Sequence, residues 1–104
     1  MIIAIDFDGT WTADPVLWST FCKSAISRGH QVWCITARPP AMMGEVFETA
    51  GALLGTHRCL SAGNEPKASV FERHTGQRVD VWIDDAPELI KPLRQRPAGL
   101  ILPG

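Results

Sequence analysis

Ile2-Ile3-Ala4-Ile5 is an unbroken apolar run that stops sharply at Asp6. Four consecutive apolar positions, three of them β-branched, predict a strand buried on both faces, as in a parallel sheet, rather than one with a wet side. Less uniform runs follow at Gln31 to Ile35, which ends in Thr36-Ala37-Arg38, and at Val79 to Ile83, which carries Asp80 and ends in Asp84-Asp85. Arg58 to Leu60 predicts a short third strand, and Gly99 to Leu102 a last, edge strand.

Helical spacing fills the intervals. Asp14-Pro15 predicts a helix start, with Asp as N-cap and Pro at the first helical position. Val16, Leu17, Phe21, Ala25 and Ile26 follow as its apolar face, and Arg28-Gly29 closes it. Pro39-Pro40 blocks extension of the second strand and opens a helix to about Ala50, with Gly51 as its stop. A third helix is predicted over Glu65 to His74, after Asn64 and closed by Gly76, and a short one from about Pro87 to Leu93. Buried strands alternating with helices predict an α/β domain in which right-handed crossovers build a central, mainly parallel sheet covered on both faces.

Composition narrows the class further. At 104 residues, 45% apolar and 20% charged, the chain predicts one packed domain over 1–104 with neither a disordered tract nor a repeat. The formal charge of −1 and the lack of a basic block argue against sequence-independent nucleic-acid binding, leaving nucleic acid as a partner only in the form of a substrate. No apolar run approaches the ~20 residues that span a bilayer, and Met1 to Ile5 is too short for a secretory segment. Cys22, Cys34 and Cys59 are odd in number and contain no CxxC pair, which predicts reduced thiols and a cytoplasmic setting. With His30 or His57 they lack zinc-ligand spacing.

The chemistry gathers at strand ends, where open α/β sheets hold their ligands. The first strand delivers Asp6, Asp8, Gly9 and Thr10, the second Thr36 and Arg38, the fourth Asp84 and Asp85. Carboxylates that converge raise one another's pKa unless a cation intervenes, and a hard, oxygen-preferring ion such as Mg²⁺ suits them. Lys67, on the helix before the fourth strand, adds a cation. A nucleophile, a second proton-handling carboxylate, a metal site, a hydroxyl and a cation are the parts that phosphoryl transfer requires.

Asp6-Phe7-Asp8-Gly9-Thr10, Thr36, Lys67 and Asp84-Asp85, each at the end of its element and in this order, resemble the four signature motifs of the haloacid dehalogenase-like (HAD) phosphatase superfamily. The resemblance runs from Ile2 to about Pro92. It implies a Rossmann-like three-layer domain and a phosphomonoester hydrolase that works through an aspartyl-phosphate. Asp6 would be the nucleophile and Asp8 the acid/base. Backbone N–H groups of Phe7, Gly9 and Thr10, with Thr36 and Lys67, would bind the transferred phosphoryl group. Mg²⁺ would be held by Asp6, the carbonyl of Asp8, and Asp84, with Asp85 a further ligand or an orienter. The sequence departs from the family in placing Trp11 directly after the first motif. Neither 11–35 nor 37–66 has room for a cap domain beyond one helix and one strand each. An open site and a macromolecular phosphate, or a lid lent by a second subunit, are therefore expected.

Taken singly, these residues have plainer roles. Asp6 and Asp8 suit an Asx turn before Gly9, Asp84 and Asp85 could cap the helix near Pro87, and Thr36 is an ordinary strand residue. Lys67 alone would be a solvated helix charge. Arg38 could grip a distal phosphate or bond its own turn. Trp11 could stack on a base or cover the core edge; Trp18, Trp33 and Trp82 look like packing residues. A receiver domain would carry its phosphorylated Asp after the third strand, where this chain has Ser61-Ala62-Gly63. Besides hydrolysis, an interaction module retaining the fold and a phosphotransferase are compatible with these motifs.

Overall fold

The computed structural model describes residues 1–91. Its elements are β1 (Ile2–Ile5), α1 (Pro15–Ser27), β2 (Gln31–Thr36), α2 (Gly44–Glu48), α3 (Ala50–Leu54), β3 (Cys59–Ser61), α4 (Lys67–Thr75) and β4 (Val81–Ile83), with 3₁₀ turns at Trp11–Ala13, Pro40–Met42, Thr56–Arg58 and Pro87–Leu89. The predicted edge strand Gly99 to Leu102 lies outside the described residues. Among those residues, no helix is long and apolar enough to cross a membrane.

The four strands form one sheet in the order β3-β2-β1-β4, and each neighbouring pair is parallel. Ile5 pairs with Cys34 on one side and with Ile83 on the other, and Cys34 pairs in turn with Cys59. Because side chains alternate across a strand, the two faces carry different sets. Ile3, Ile5, Val32 and Cys34 pack with Cys22 and Ala25 of α1 and with Val46, Ala50 and Leu54 of α2 and α3. Ala4, Trp33, Ile35 and Trp82 pack with Ala68, Val70 and Phe71 of α4. The Trp33 ring meets Phe71 edge-on, with centroids 5.2 Å apart. Chain order runs from β1 through β2 to β3 beneath α1, α2 and α3. It then returns under α4 to β4 on the far side of β1, and this reversal requires the opposite face if crossovers keep one hand.

Local departures from the sequence pattern each have a cause. Asp14 caps α1 as predicted, its Oδ1 accepting from Leu17 N–H at 3.1 Å. The buried stripe, however, is Trp18, Phe21, Cys22 and Ala25, leaving Val16 75% and Leu17 53% exposed. That stripe has the i, i+3, i+4, i+7 spacing, whereas Val16, Leu17 and Ile26 spread beyond the arc one sheet can cover.

The single helix expected from Pro40 to Ala50 is a 3₁₀ turn followed by α2 and α3, broken at Thr49, whose hydroxyl donates back to the Glu45 carbonyl at 2.7 Å. Gly51 does not stop a helix but lies buried inside α3, where a Cβ would stand 3.2 Å from Thr56 Cγ2. The stop is Gly55, at φ +94°. The third strand begins one residue late, at Cys59, because Arg58 N–H is used to close the preceding turn on Gly55 O at 3.0 Å.

α4 starts at Lys67 rather than Glu65, since Pro66 disfavours helical geometry in the residue before it. It ends at Thr75, one residue beyond the expected His74, and Gly76 closes it in the left-handed region as predicted. β4 starts two residues late, at Val81. The helix expected from Pro87 to Leu93 begins as a 3₁₀ turn ending at Leu89, and Pro92 and Leu93 lie outside the described residues.

Candidate active site

Chain order reverses between β1 and β4, and ligand crevices in open α/β sheets form at such a switch point, beyond the carboxyl ends of the strands. Asp6 follows β1 there, and Asp84 follows β4. Asp6 N–H donates to Ile83 O at 2.9 Å, so the two strand ends are tied together at the point where both acids emerge.

Lys67, the first residue of α4, reaches between them. Its Nζ lies 2.7 Å from Asp6 Oδ1 and 2.6 Å from Asp84 Oδ2, and all three residues are buried. A lysine solvated on its helix face was the plainer expectation; packing α4 against the sheet instead aims it into the crevice. The second oxygen of Asp84 accepts from Ala86 N–H at 2.9 Å, so Asp84 also shapes the turn after β4. Burial alone would lower the Lys67 pKa, but its hydrogen bonds to Asp6 and Asp84 outweigh that and hold it up, as an ammonium.

Asp6 is pushed up to about 7, first by burial and then by the nearby Asp85 carboxyl, with Lys67 opposing both. One carboxylate oxygen from each of Asp6, Asp84 and Asp85 lie within 4.8 Å of one another. Three carboxylates against one ammonium leave an excess of negative charge, and the donors are all oxygen. That set fits a hard divalent cation.

The loop between β1 and α1 is held close to these acids. Gly9 adopts φ +82°, which favours glycine, and a Cβ there would displace the exposed Asp85 carboxylate from its place beside the loop. Gly9 N–H donates to Thr12 Oγ1 at 3.0 Å, and the Thr10 hydroxyl lies 3.5 Å from both Asp6 Oδ2 and Asp85 Oδ1. The Phe7 side chain is buried, and its carbonyl accepts from Thr10 and Thr12 N–H at 3.3 and 3.1 Å. Thr36 is buried at the end of β2, where its hydroxyl accepts from Arg38 N–H at 3.2 Å.

Asp8 stands apart from the acid cluster. Its half-exposed carboxylate takes two bonds from Arg38, Nε to Oδ2 and Nη2 to Oδ1, each 2.8 Å. Those bonds hold the Asp8 carboxyl below its ordinary range. Arg38 also donates to Met42 O at 3.2 Å and lies over the Phe7 ring, 5.0 Å from its centroid. Neither end of the expected choice for Arg38, distal phosphate or its own turn, anticipated a carboxylate partner.

Comparison of the chain with protein-family models, with curated proteins and with solved structures finds no match in any of the three.

Three supporting residues escaped the sequence pattern. Ser61 donates to the Arg38 carbonyl at 2.6 Å, Glu45 stands 3.7 Å from the Arg38 guanidinium, and Thr12 receives Gly9 N–H. All three contacts cross between elements or turns, and the only signal for them is the strand-end position of Ser61. Trp11 is buried in the core cluster and covers the core edge. His30, His57 and His74 lie elsewhere: His30 Nδ1 is 2.8 Å from the N-terminal amine, the His57 ring packs over Gly55, and His74 lies edge-on to Trp33.

Proposed function

We propose that this chain is a Mg²⁺-dependent phosphomonoester hydrolase of the HAD-like type, built on a Rossmann-like three-layer domain with an open site and working through an aspartyl-phosphate. The observation that carries this reading is Lys67, buried between Asp6 and Asp84 across the switch point. A buried lysine shared by two carboxylates is a costly arrangement that packing alone does not call for, and perturbed, converging charges of this kind mark functional sites.

Asp6, Asp84 and Asp85, with the main-chain carbonyl of Asp8, would hold the ion, which when bound would offset negative charge on the phosphoryl oxygens. In the first half-reaction the Asp6 carboxylate attacks phosphorus, an O–P bond forms, and the bond to the ester oxygen breaks. Asp8 gives that oxygen its proton, then takes one from the water that attacks the aspartyl-phosphate. Lys67 fixes the rotamer of Asp6 and places positive charge beside the reacting group. Thr10, Thr36 and backbone N–H groups of the Phe7–Thr10 loop bind phosphoryl oxygens, those of Gly9 and Thr10 only after leaving Thr12 Oγ1 and the Phe7 carbonyl. Asp8 can carry a proton only after giving up its two bonds from Arg38, so substrate entry must displace or share that guanidinium.

The test is hydrolysis of a chromogenic aryl phosphate in Mg²⁺, compared between the wild type and Asp6→Asn. Turnover lost by at least three orders of magnitude in Asp6→Asn, with phosphate trapped on wild-type protein after acid quench, is expected. Undiminished activity in Asp6→Asn would remove the nucleophile and with it the mechanism.

A further inference from the structure

Beside the loop that carries Asp6 and Asp8 lies an open cleft of about 450 Å³, within the range of roughly 300–1,000 Å³ common to small-molecule sites. Phe7, Trp11, Pro15 and Val16 give it a mainly apolar wall, and Thr12 and Glu45 stand at its polar side. Three of these residues touch the candidate active site directly. Phe7 lies between the two acids in sequence and under the Arg38 guanidinium, Thr12 anchors Gly9, and Glu45 faces Arg38. The cleft therefore adjoins the loop and the guanidinium that flank Asp8, the residue proposed to protonate the leaving group. Core packing does not account for Val16, which stays exposed on the first turn of α1 although the stripe below it is filled.

We infer that this cleft receives the alcohol portion of the phosphomonoester, and that the group it takes is an uncharged aryl ring rather than a polyol or a second phosphate. The inference rests on the phosphatase reading and deepens it. Apolar walls favour a ring over a hydroxylated chain. Glu45 is the charged side chain lining the cleft, and its carboxylate repels a second anion. When Arg38 gives up Asp8, Glu45 on the cleft's own wall, 3.7 Å from the guanidinium, is the carboxylate left to pair it.

The test measures calorimetric binding of three probes, inorganic phosphate, methylphosphonate and phenylphosphonate, to the full chain in Mg²⁺. The wild type should bind phenylphosphonate roughly tenfold or more tighter than methylphosphonate. Two variants keep the ratio interpretable: Val16→Asp, which places a carboxylate at a helix N-terminus that tolerates it, and Ser19→Phe, which fills the cleft from α1. In both, the ratio of the two phosphonate affinities should fall toward one. Equal affinities in the wild type, or a ratio that survives both substitutions, overturns the aryl subsite while phosphate binding leaves the phosphatase reading standing. Failure of all three probes to bind overturns both.

Discussion

Arg38 grips both carboxylate oxygens of Asp8 at 2.8 Å, from a position thirty residues further along the chain. The pair joins the end of β2 to the loop after β1 and sets the charge state of Asp8 before any ligand arrives. With Arg38→Ala, the Asp8 carboxyl should titrate upward toward its ordinary value of 3.8, as followed by carboxyl ¹³C chemical shifts. Arg38→Lys should restore only part of the depression, because an ammonium is a point charge without the two-pronged geometry. An Asp8 titration that ignores both substitutions would mean that another group holds it down.

Lys67 has the opposite role, neutralising two buried acids. Lys67→Met leaves Asp6 and Asp84 buried without their shared cation, and removing one partner of a buried ion pair costs about 3–5 kcal/mol. Urea unfolding in chelator should show a loss of that order. Adding Asp6→Asn and Asp84→Asn to Lys67→Met should recover much of it, since neutral amides no longer need the charge. A triple variant no more stable than Lys67→Met would argue that Lys67 contributes through packing.

Asp6 makes stability depend on pH. Its folded pKa of about 7 lies above the ordinary 3.8, so the folded chain binds the proton more tightly than the unfolded chain does. The associated stability is fully present below pH 3.8 and is lost as pH rises through about 7. In chelator, the wild type should therefore lose stability between pH 5 and 8 relative to Asp6→Asn, whose side chain does not titrate. Taking the difference between the two removes the contribution of the three histidines, which both share. Parallel profiles would show that Asp6 ionises normally in the fold.

Gly9→Ala tests the loop. Its Cβ must occupy space held by the Asp85 carboxylate, at a φ of +82° that L-residues rarely adopt. Backbone strain alone costs of order 1–3 kcal/mol. Thermal unfolding should report a loss in that range, and aryl phosphate turnover should fall more steeply than folding does. Wild-type turnover and melting in Gly9→Ala would show that the loop relaxes freely.

Much of this molecule was already written in the pattern of residues, and the division follows the range of the interactions. Apolar runs just before Asp6, Thr36 and Asp84 marked three strands and their chemical ends, because strand positions buried on both faces are apolar up to the point where the chain emerges. Asp80, by contrast, blurred the start of the fourth strand. Asp14-Pro15 and Gly76 marked helix ends through hydrogen bonds and φ preferences that act within a few residues. Only the folded sheet decided the rest. Which arc of α1 is buried, why Gly51 must be small and where β3 begins depend on neighbours brought in from other elements. The placement of Lys67 between Asp6 and Asp84 and the closure of Arg38 on Asp8 depend on the strand order β3-β2-β1-β4, which sets β2 and β4 on either side of β1. Local preference carries no information about which distant element will lie alongside, and burial of each face against its helices is what selects that arrangement.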